Sequence, residues 1–141
     1  MQQNQEERIH IFTGNVPIRW RDIDPFGMVN HAVLFTLMEE VRLKWFETTG
    51  LKNTLKYFYP IVDAQITFEK TINYPSDVSV SLYTGRISEK SWTFYHEIFN
   101  TNNPKERYAK ASLVSVVYDP TLKHAVPIPL ELTNILQKPQ N

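Results

Sequence analysis

The sequence predicts an α+β domain in which one curved antiparallel sheet of about five strands is wrapped around one long central helix. Three observations support this fold class. A single long amphipathic segment with helical spacing precedes four strand-like segments. The connections between those segments are short, which favours antiparallel pairing. The apolar stripe of the helix must be buried, and the sheet is the surface available to bury it.

The composition is that of one folded domain, and it excludes several classes of protein. The chain has 141 residues, of which 42% are hydrophobic and 13% aromatic, as expected for one domain with one core. Lys+Arg and Asp+Glu number 15 each, so we expect no nucleic-acid partner. The chain has no Cys, which excludes disulfides, thiolate chemistry and Cys-based zinc sites.

No apolar run approaches the ~18 residues of a membrane helix, and the polar amino terminus has no secretory signal pattern. We therefore expect a cytoplasmic protein with no membrane partner. Residues 1–7 predict a disordered tail, and residues 8–141 the single domain. Apolar residues over 9–20 predict a first strand with a break at 13–15, and a sharp loop follows at 22–30.

A long helix is predicted from His31 to Thr49, because apolar side chains recur there at helical spacing. Asn30 is a candidate for the residue that caps its amino end, and Gly50 for the residue that follows its carboxyl end. The apolar positions are Leu34, Leu37, Met38, Val41 and Trp45.

Four strands and a short terminal helix are predicted after the long helix. The first two strands alternate apolar and polar residues, which is typical of half-buried strands. Ser88-Glu89-Lys90 is a tight connection, and a loop is expected at 100–104. The four strands and the helix cover residues 62–69, 78–83, 92–99, 108–118 and 127–137.

A distinctive motif lies between the first strand and the long helix. It reads Asp22-x-Asp24-x-x-Gly27-x-Val29-x-His31. The helix that follows carries Glu39-Glu40-x-Arg42. With the order of elements over residues 8–137, this pattern resembles the hotdog-fold acyl-CoA thioesterases, and among them the 4-hydroxybenzoyl-CoA thioesterase type. The resemblance implies a hotdog fold, hydrolysis of an acyl-CoA to the free acid and coenzyme A, and a homodimer or homotetramer with sites at the subunit interface.

The resemblance also assigns roles to residues. Asp24 falls at the catalytic carboxylate, and His31 falls where a backbone N–H at the helix start polarises the thioester carbonyl. Leu34 stands where many relatives have Tyr and is expected to shape the acyl pocket. No metal or separate cofactor is expected, since coenzyme A is part of the substrate. The other expected substrate-binding residues are Gly27 and Asn30 in the loop, and Arg86, Lys90 and Ser91 at a strand end that contacts the coenzyme A phosphates.

The residue chemistry is compatible with the reaction that the resemblance implies. A thiolate is a good leaving group, so thioester hydrolysis mainly needs a polarised carbonyl and a base or nucleophile. A helix amino end offers unpaired N–H donors and a partial positive charge. A carboxylate such as Asp24 beside it can deprotonate water or attack the carbonyl directly. The sequence does not separate these two routes.

Structural interpretations of the same residues stay open. Asp24 can be a turn or capping residue, because Asp before Pro often begins a turn. Asp22 is expected to be structural, through pairing with Arg19 or Arg21. The side chain of His31 can simply pack or face solvent. The cations at the strand end can be ordinary hairpin surface residues.

Two other functions fit the same fold. One is a non-catalytic acyl-CoA or acyl-carrier binding protein, and the other is an acyl thioester dehydratase or hydratase that would use His31 with a carboxylate. Glu39 and Glu40 are weaker catalytic candidates, because such a pair is more often a solvated helix face. The four His residues have no metal-binding spacing, and no GxSxG, P-loop or GxGxxG motif occurs.

Overall fold

The computed structural model describes residues 7–51 and 56–140. The predicted tail lies outside the described residues except for Glu7, which is exposed and belongs to no strand. In chain order the elements are β1 (Ile9–Pro17), a 3-10 turn (Trp20–Asp22), α1 (His31–Thr48), β2 (Ile61–Phe68), β3 (Asp77–Ile87), β4 (Ser91–Asn100), β5 (Asn103–Asp119), β6 (His124–Val126) and α2 (Leu130–Leu136).

The strands form one antiparallel sheet in the order β1-β3-β4-β5-β2, and α1 packs on one face of it. This arrangement confirms the predicted sheet around one long helix. The sheet has six strands rather than about five, because β6 pairs with β5 just beyond the residues that pair with β4. Three residues are too few for β6 to show the alternation by which the other strands are recognised.

Helix α1 has the bounds that its flanking residues predict. The side chain of Asn30 accepts a hydrogen bond from the backbone N–H of Ala32 at 2.9 Å, which satisfies one of the free donors of the first turn. Gly50 adopts a φ of 72°, the left-handed conformation that commonly ends a helix. No helix in the described part of the chain is long and apolar enough to cross a membrane. The buried side chains of α1 are the five predicted ones, Leu34, Leu37, Met38, Val41 and Trp45.

The sheet has two ends that matter for the site. Strand β3 begins and β2 finishes at one end, which we call the loop end and which is marked by Asp77 and Phe68. Strand β3 turns into β4 at the other end, which we call the hairpin end and which is marked by Ile87 and Ser91. Strand β2 begins at the hairpin end with Ile61. The two ends are about 33 Å apart, which is the ten residue steps of extended chain from Asp77 to Ile87 in β3.

The break expected in the first strand at residues 13–15 is wrong. Strand β1 continues through Gly14, which pairs with Val80. A side chain at Gly14 would place a Cβ 3.1 Å from the ring of Phe12, so this glycine makes room for an aromatic neighbour rather than a turn. The irregularity of the strand lies earlier, between His10 and Phe12.

The loop expected at 100–104 is shorter in the structure. Asn100 already pairs with Asn103, so the turn between β4 and β5 has two residues. The side chain of Asn100 accepts the backbone N–H of Asn102 at 3.0 Å, a local bond by which Asn commonly stabilises a turn. Strand β5 therefore begins five residues before the predicted start at 108, in a polar stretch that has no apolar alternation.

Strand β2 is much more exposed than its alternating sequence predicts. It is the last strand of the sheet and pairs only with β5 among the described residues. Val62 is 58% exposed and Phe68 43% exposed. On α1, Phe35 and Leu43 are also exposed apolar residues. A single chain therefore leaves an apolar edge strand uncovered, and such an edge readily pairs with another strand.

We expect Met38→Ala to lower the free energy of unfolding by about 2–5 kcal/mol, because it opens a cavity in a close-packed core. Met38 is fully buried on α1. Thr36→Ala on the exposed side of the same helix is the control and should change the value by less than about 0.5 kcal/mol. Urea unfolding measures both variants. Equal losses in the two variants would contradict the packing described here.

Candidate active site

The loop before α1 is fixed from within by Asp22. This carboxylate is only 5% exposed. One of its oxygens accepts the backbone N–H of Arg19 at 2.8 Å, and the Nε atom of Arg19 lies 3.7 Å from the same oxygen. The carbonyl of Asp22 accepts the backbone N–H of Asn30 at 2.9 Å. Asp22 is thus a structural residue paired with Arg19, as one of the sequence interpretations holds.

The same loop is attached to the segment between β2 and β3. The backbone N–H of Val29 donates to the carbonyl of Ile72 at 2.8 Å, and Met28 forms an isolated bridge with Asn73. Val29 and Ile72 are both buried. These contacts hold the loop and the start of α1 at the loop end of the sheet.

The two carboxylate oxygens of Asp24 have different surroundings. Its Oδ1 atom accepts the backbone N–H groups of Phe26 at 2.9 Å and of Met28 at 3.3 Å. The turn is completed by Gly27, whose φ is 81°, a conformation that glycine adopts without a steric penalty. Among the described residues, nothing forms a hydrogen bond with the Oδ2 atom. The carboxylate is therefore held in place by one oxygen while the other stays available.

The first turn of α1 presents one backbone donor. Ala32 donates to the side chain of Asn30, and Val33 donates to the carbonyl of Asn30 at 2.9 Å. The N–H of His31 has no such partner within the part of the chain that the structure describes. A free N–H at a helix amino end carries partial positive charge and favours an oxyanion. The imidazole of His31 stacks on the ring of Phe68, with centroids 4.0 Å apart and planes 11° from parallel.

Asp24, His31 and Leu34 line one small cleft with Phe68 and Ile72. Its volume is about 20 Å³. One water molecule needs about 10–15 Å³ of such space, so the cleft of a single chain holds a group of about that size. The structure thus brings together Asp24, the helix start and Leu34, and Leu34 is 3% exposed at the base of α1.

The residues predicted to contact coenzyme A phosphates lie elsewhere in the chain. Arg86, Lys90 and Ser91 occupy the hairpin end of the sheet, where the two cations are exposed. The hydroxyl of Ser91 forms a hydrogen bond with that of Ser88 at 2.7 Å. Within one chain, the structure does not bring these residues next to Asp24, which lies at the loop end.

A polar pair, the half-buried Arg42 and the buried His96, lies between α1 and the sheet. The guanidinium of Arg42 donates to Nε2 of His96 at 3.1 Å. Arg42 has no acceptor, so the imidazole must accept and is neutral with its proton on Nδ1. Burial, together with the charge of Arg42, lowers the pKa of His96 to about 3. Burial also lowers the pKa of Arg42, and the charge of Glu39 opposes that shift.

The positions of Arg42 and His96 in the sequence are themselves a signal for this pair. On β4, His96 continues the alternation of Trp92 and Phe94, so it points to the same buried face. On α1, Arg42 directly follows the buried Val41 and therefore lies beside the apolar stripe. Polar residues at such positions require a partner, and Nε2 of His96 supplies one for Arg42. Nδ1 of His96 has no hydrogen-bond partner among the described residues. In the described part of the chain, no group of three or more His, Asp or Glu residues is arranged to hold a metal ion.

The geometry of the loop and helix can be set beside known proteins. A sequence profile of the Thioesterase-like superfamily matches residues 18–136, from before Asp22 to the end of α2. The chain belongs to the Thioesterase-like superfamily. The predicted family and the predicted class of enzyme, a thioester hydrolase, are confirmed by this match.

Relatives of this superfamily member cover nearly its whole length. A 1,4-dihydroxy-2-naphthoyl-CoA hydrolase of Crocosphaera subtropica (strain ATCC 51142 / BH68) is 25% identical over 136 residues, which are 92% of this chain and 98% of the relative. The PA2801 protein of Pseudomonas aeruginosa has a similar structure, with a TM-score of 0.81, 28% identity and coverage of 91% of this chain and 98% of that one. A 1,4-dihydroxy-2-naphthoyl-CoA thioesterase of Synechocystis has a TM-score of 0.81 at 17% identity, covering 92% and 96% of the two chains. These likenesses confirm the hotdog fold.

The neutral state of His96 predicts a specific pH dependence of stability. An unfolded His binds a proton below about pH 6.5, whereas the folded His96 does so only near pH 3. Its contribution to the free energy of unfolding is therefore complete above pH 6.5 and is lost as the pH falls. Relative to His96→Gln, the native chain should lose stability with an extra slope of up to about 1.4 kcal/mol per pH unit.

Urea unfolding from pH 7.5 down to pH 4.5, at one protein concentration, measures this difference. His124→Gln, which changes an exposed residue, controls for the general effect of losing a histidine. Parallel pH profiles for the native chain and His96→Gln would contradict this, because they would mean that His96 binds its proton over the same pH range in the folded and unfolded states.

Proposed function

We propose that this chain hydrolyses an acyl-CoA thioester to the free acid and coenzyme A, with Asp24 as base or nucleophile and the amino end of α1 as the oxyanion site. One observation carries this assignment. The carboxylate of Asp24 has an available oxygen, the N–H of His31 has no acceptor among the described residues, and both residues line the same cleft. The family supports the reaction class, and the cleft suggests how this chain performs it.

The reaction follows from these two groups. The thioester carbonyl oxygen accepts the N–H of His31, so the partial charge of α1 stabilises the oxyanion that develops. Asp24 either removes a proton from an attacking water or attacks the carbonyl itself to form a mixed anhydride that water then hydrolyses. In both routes the carbon–sulfur bond breaks and coenzyme A leaves as a thiolate.

The acyl group needs more room than this cleft provides, and α1 borders a larger space. A cavity of about 340 Å³ lies between α1, the first residues of β2 and the start of β4, and we call it the α1–β4 cavity. On α1 it begins at Glu39, eight residues after His31, which is about 12 Å along the helix. Its lining residues include Glu39, Arg42, Phe46, Tyr59, Ile61 and Trp92.

A two-fold dimer would bring the α1–β4 cavity to a catalytic loop. The exposed edge of β2 fits antiparallel pairing with β2 of a second copy. Such pairing sets the start of one β2 strand, at Ile61, beside the end of the other, at the partner's Phe68. The cavity of one chain then faces the partner's Asp24. A homodimer, alone or within a tetramer, thus completes each site.

The same dimer gives the predicted coenzyme A residues a place in the site. Arg86, Lys90 and Ser91 lie at the hairpin end, where β2 begins and the α1–β4 cavity opens. Antiparallel pairing places this end beside the loop end of the partner. The two exposed cations are therefore positioned to neutralise the phosphates of an acyl-CoA. The thioester of the same acyl-CoA then reaches the partner's Asp24.

Asp24→Asn should reduce kcat/KM for thiol release from acyl-CoA by on the order of 100-fold or more, because an amide neither accepts the proton of water nor attacks the carbonyl. The amide oxygen can still accept the N–H of Phe26, so the loop should keep its fold. The assay uses a panel of aromatic, short-chain and long-chain acyl-CoAs. Glu131→Gln, on the exposed surface of α2, is the control.

Each rival function predicts a different outcome of this assay. Tight binding of acyl-CoA with no turnover by the native chain would favour a binding protein. Hydration of an enoyl-CoA without thiol release would favour the hydratase. Native activity that persists in Asp24→Asn would remove Asp24 from the mechanism.

A mixing experiment tests whether one site uses two chains. Asp24→Asn and Leu43→Trp, which fills the α1–β4 cavity, should each be inactive alone. In mixed dimers, one of the two sites receives neither substitution, so an equal mixture should regain about a quarter of the native activity. Thiol release after subunit exchange measures this recovery. No recovery in dimers shown to have exchanged would place Asp24 and the cavity of a working site on the same chain.

A further inference from the structure

We propose that Arg42 is a specificity-determining residue that binds an uncharged oxygen group, such as a hydroxyl, at the far end of the acyl group, and that His96 positions it. This inference rests on the proposed function, because it assigns the α1–β4 cavity to the acyl group. It goes further by naming the residue that selects among acyl groups.

The α1–β4 cavity has the size and walls of a site for a flat apolar group. Its volume of about 340 Å³ falls within the range of about 300–1,000 Å³ that is common for ligand pockets. Its walls are aromatic and packed edge to face. The ring centroids of Tyr59 and Trp92 are 6.2 Å apart, and those of Trp92 and Phe94 are 5.8 Å apart. Such walls favour an aromatic or otherwise planar acyl group.

Arg42 is a fixed and incompletely bonded cation in this apolar wall. Its single hydrogen bond among the described residues goes to Nε2 of His96, although a guanidinium has five N–H donors. The side chain is half-buried. An N–H donor beside an apolar cavity that finds no acceptor raises the free energy of the protein. A ligand that places an oxygen atom at this wall should therefore bind more tightly than one that places only carbon atoms there.

His96 fixes the direction in which the guanidinium points. The imidazole is 1% exposed, and it lies edge to face with Phe94 at a centroid distance of 6.2 Å. Its low pKa keeps it neutral, so it remains an acceptor for Arg42. Because Arg42 is tied at one N–H, the other donors of its rigid planar group have a defined orientation.

Glu39 decides the charge of the group that this wall accepts. It lines the same cavity, and its charge acts on Arg42. A hydroxyl can accept from Arg42 and donate to Glu39, so it satisfies both residues. A carboxylate would be attracted by Arg42 but repelled by Glu39. An uncharged oxygen group is therefore the better fit.

The test compares matched acyl-CoAs that differ only at the far end of the ring. Benzoyl-CoA, 4-hydroxybenzoyl-CoA and 4-carboxybenzoyl-CoA carry hydrogen, an uncharged oxygen group and a carboxylate there. The readout is the ratio of kcat/KM for the hydroxy compound to that for the plain one. Arg42→Met should lower this ratio on the order of 10-fold, as expected for loss of a charge-assisted hydrogen bond. Lys44→Met, which removes a cation from another face of α1, should leave it unchanged.

The positioning role of His96 has its own readout. His96→Leu removes the acceptor that orients Arg42 and should lower the same ratio, whereas His96→Gln keeps an acceptor and should restore most of it. A purely structural role would lower the activity toward all three compounds together and leave the ratio unchanged.

Binding measurements separate this inference from the proposed function. Non-hydrolysable thioether analogues of benzoyl-CoA and 4-hydroxybenzoyl-CoA give a ratio of Kd values by calorimetry, even for a chain that hydrolyses neither thioester. A Kd ratio that favours the hydroxy analogue and falls in Arg42→Met supports the role of Arg42 independently of catalysis. Equal ratios in the native chain and Arg42→Met would overturn it. Preference for the carboxylate compound would overturn the inference that the bound oxygen group is uncharged.

Discussion

Asp22, through its buried carboxylate and its backbone carbonyl, holds the loop that leads into α1. Its side chain accepts the N–H of Arg19, and its carbonyl accepts that of Asn30, so the chain enters the helix at one fixed angle. The bond from Val29 to Ile72 then attaches this entry to the sheet. Both the available oxygen of Asp24 and the free donor of His31 depend on that attachment. A buried carboxylate that lost these partners would be strongly unfavourable. A substitution that removes one partner alone would therefore destabilise the loop.

The rest of the fold separates the tasks of the site along the sheet. The loop end carries the carboxylate and the helix start, while the hairpin end carries the larger cavity and the exposed cations of Arg86 and Lys90. In the proposed mechanism, neither end alone completes the site for a bulky acyl-CoA. Strand β2 runs between the two ends with one edge unpaired among the described residues. In the proposed dimer, the twist and direction of that one strand set how the two ends meet.

Local signals in the sequence predicted the helix and most of the sheet. Asn30 and Gly50 mark the bounds of α1 because capping depends on residue type within a single turn. The break expected at residues 13–15 was wrong because the room that Gly14 leaves is taken by the ring of Phe12, a packing requirement that the order of residues does not show. The exposure of β2 was missed because an alternating strand has the same pattern whether its face is covered by its own chain or by another.

The candidate site was predictable where its residues lie close together in the chain. Asp24 and His31 are only seven residues apart in the chain, so the motif and the helix start indicated that they lie close together. Arg42 and His96 are 54 residues apart, and only the packing of α1 on β4 brings them together. The roles of Gly27 and Asn30 in the fold are now clear from their turn and cap geometry, while their contacts with substrate stay predictions, as do those of Arg86, Lys90 and Ser91.

The small volume of the cleft beside Asp24 has a consequence for regulation. A cleft of about 20 Å³ has room for about one water molecule and not for an acyl group, so under the proposed mechanism an isolated chain would hydrolyse coenzyme A thioesters poorly. Activity would then arise only when two chains associate, so it would depend steeply on the concentration of the chain in the cell. Newly made chains would leave the acyl-CoA pool intact until enough of them had accumulated to pair.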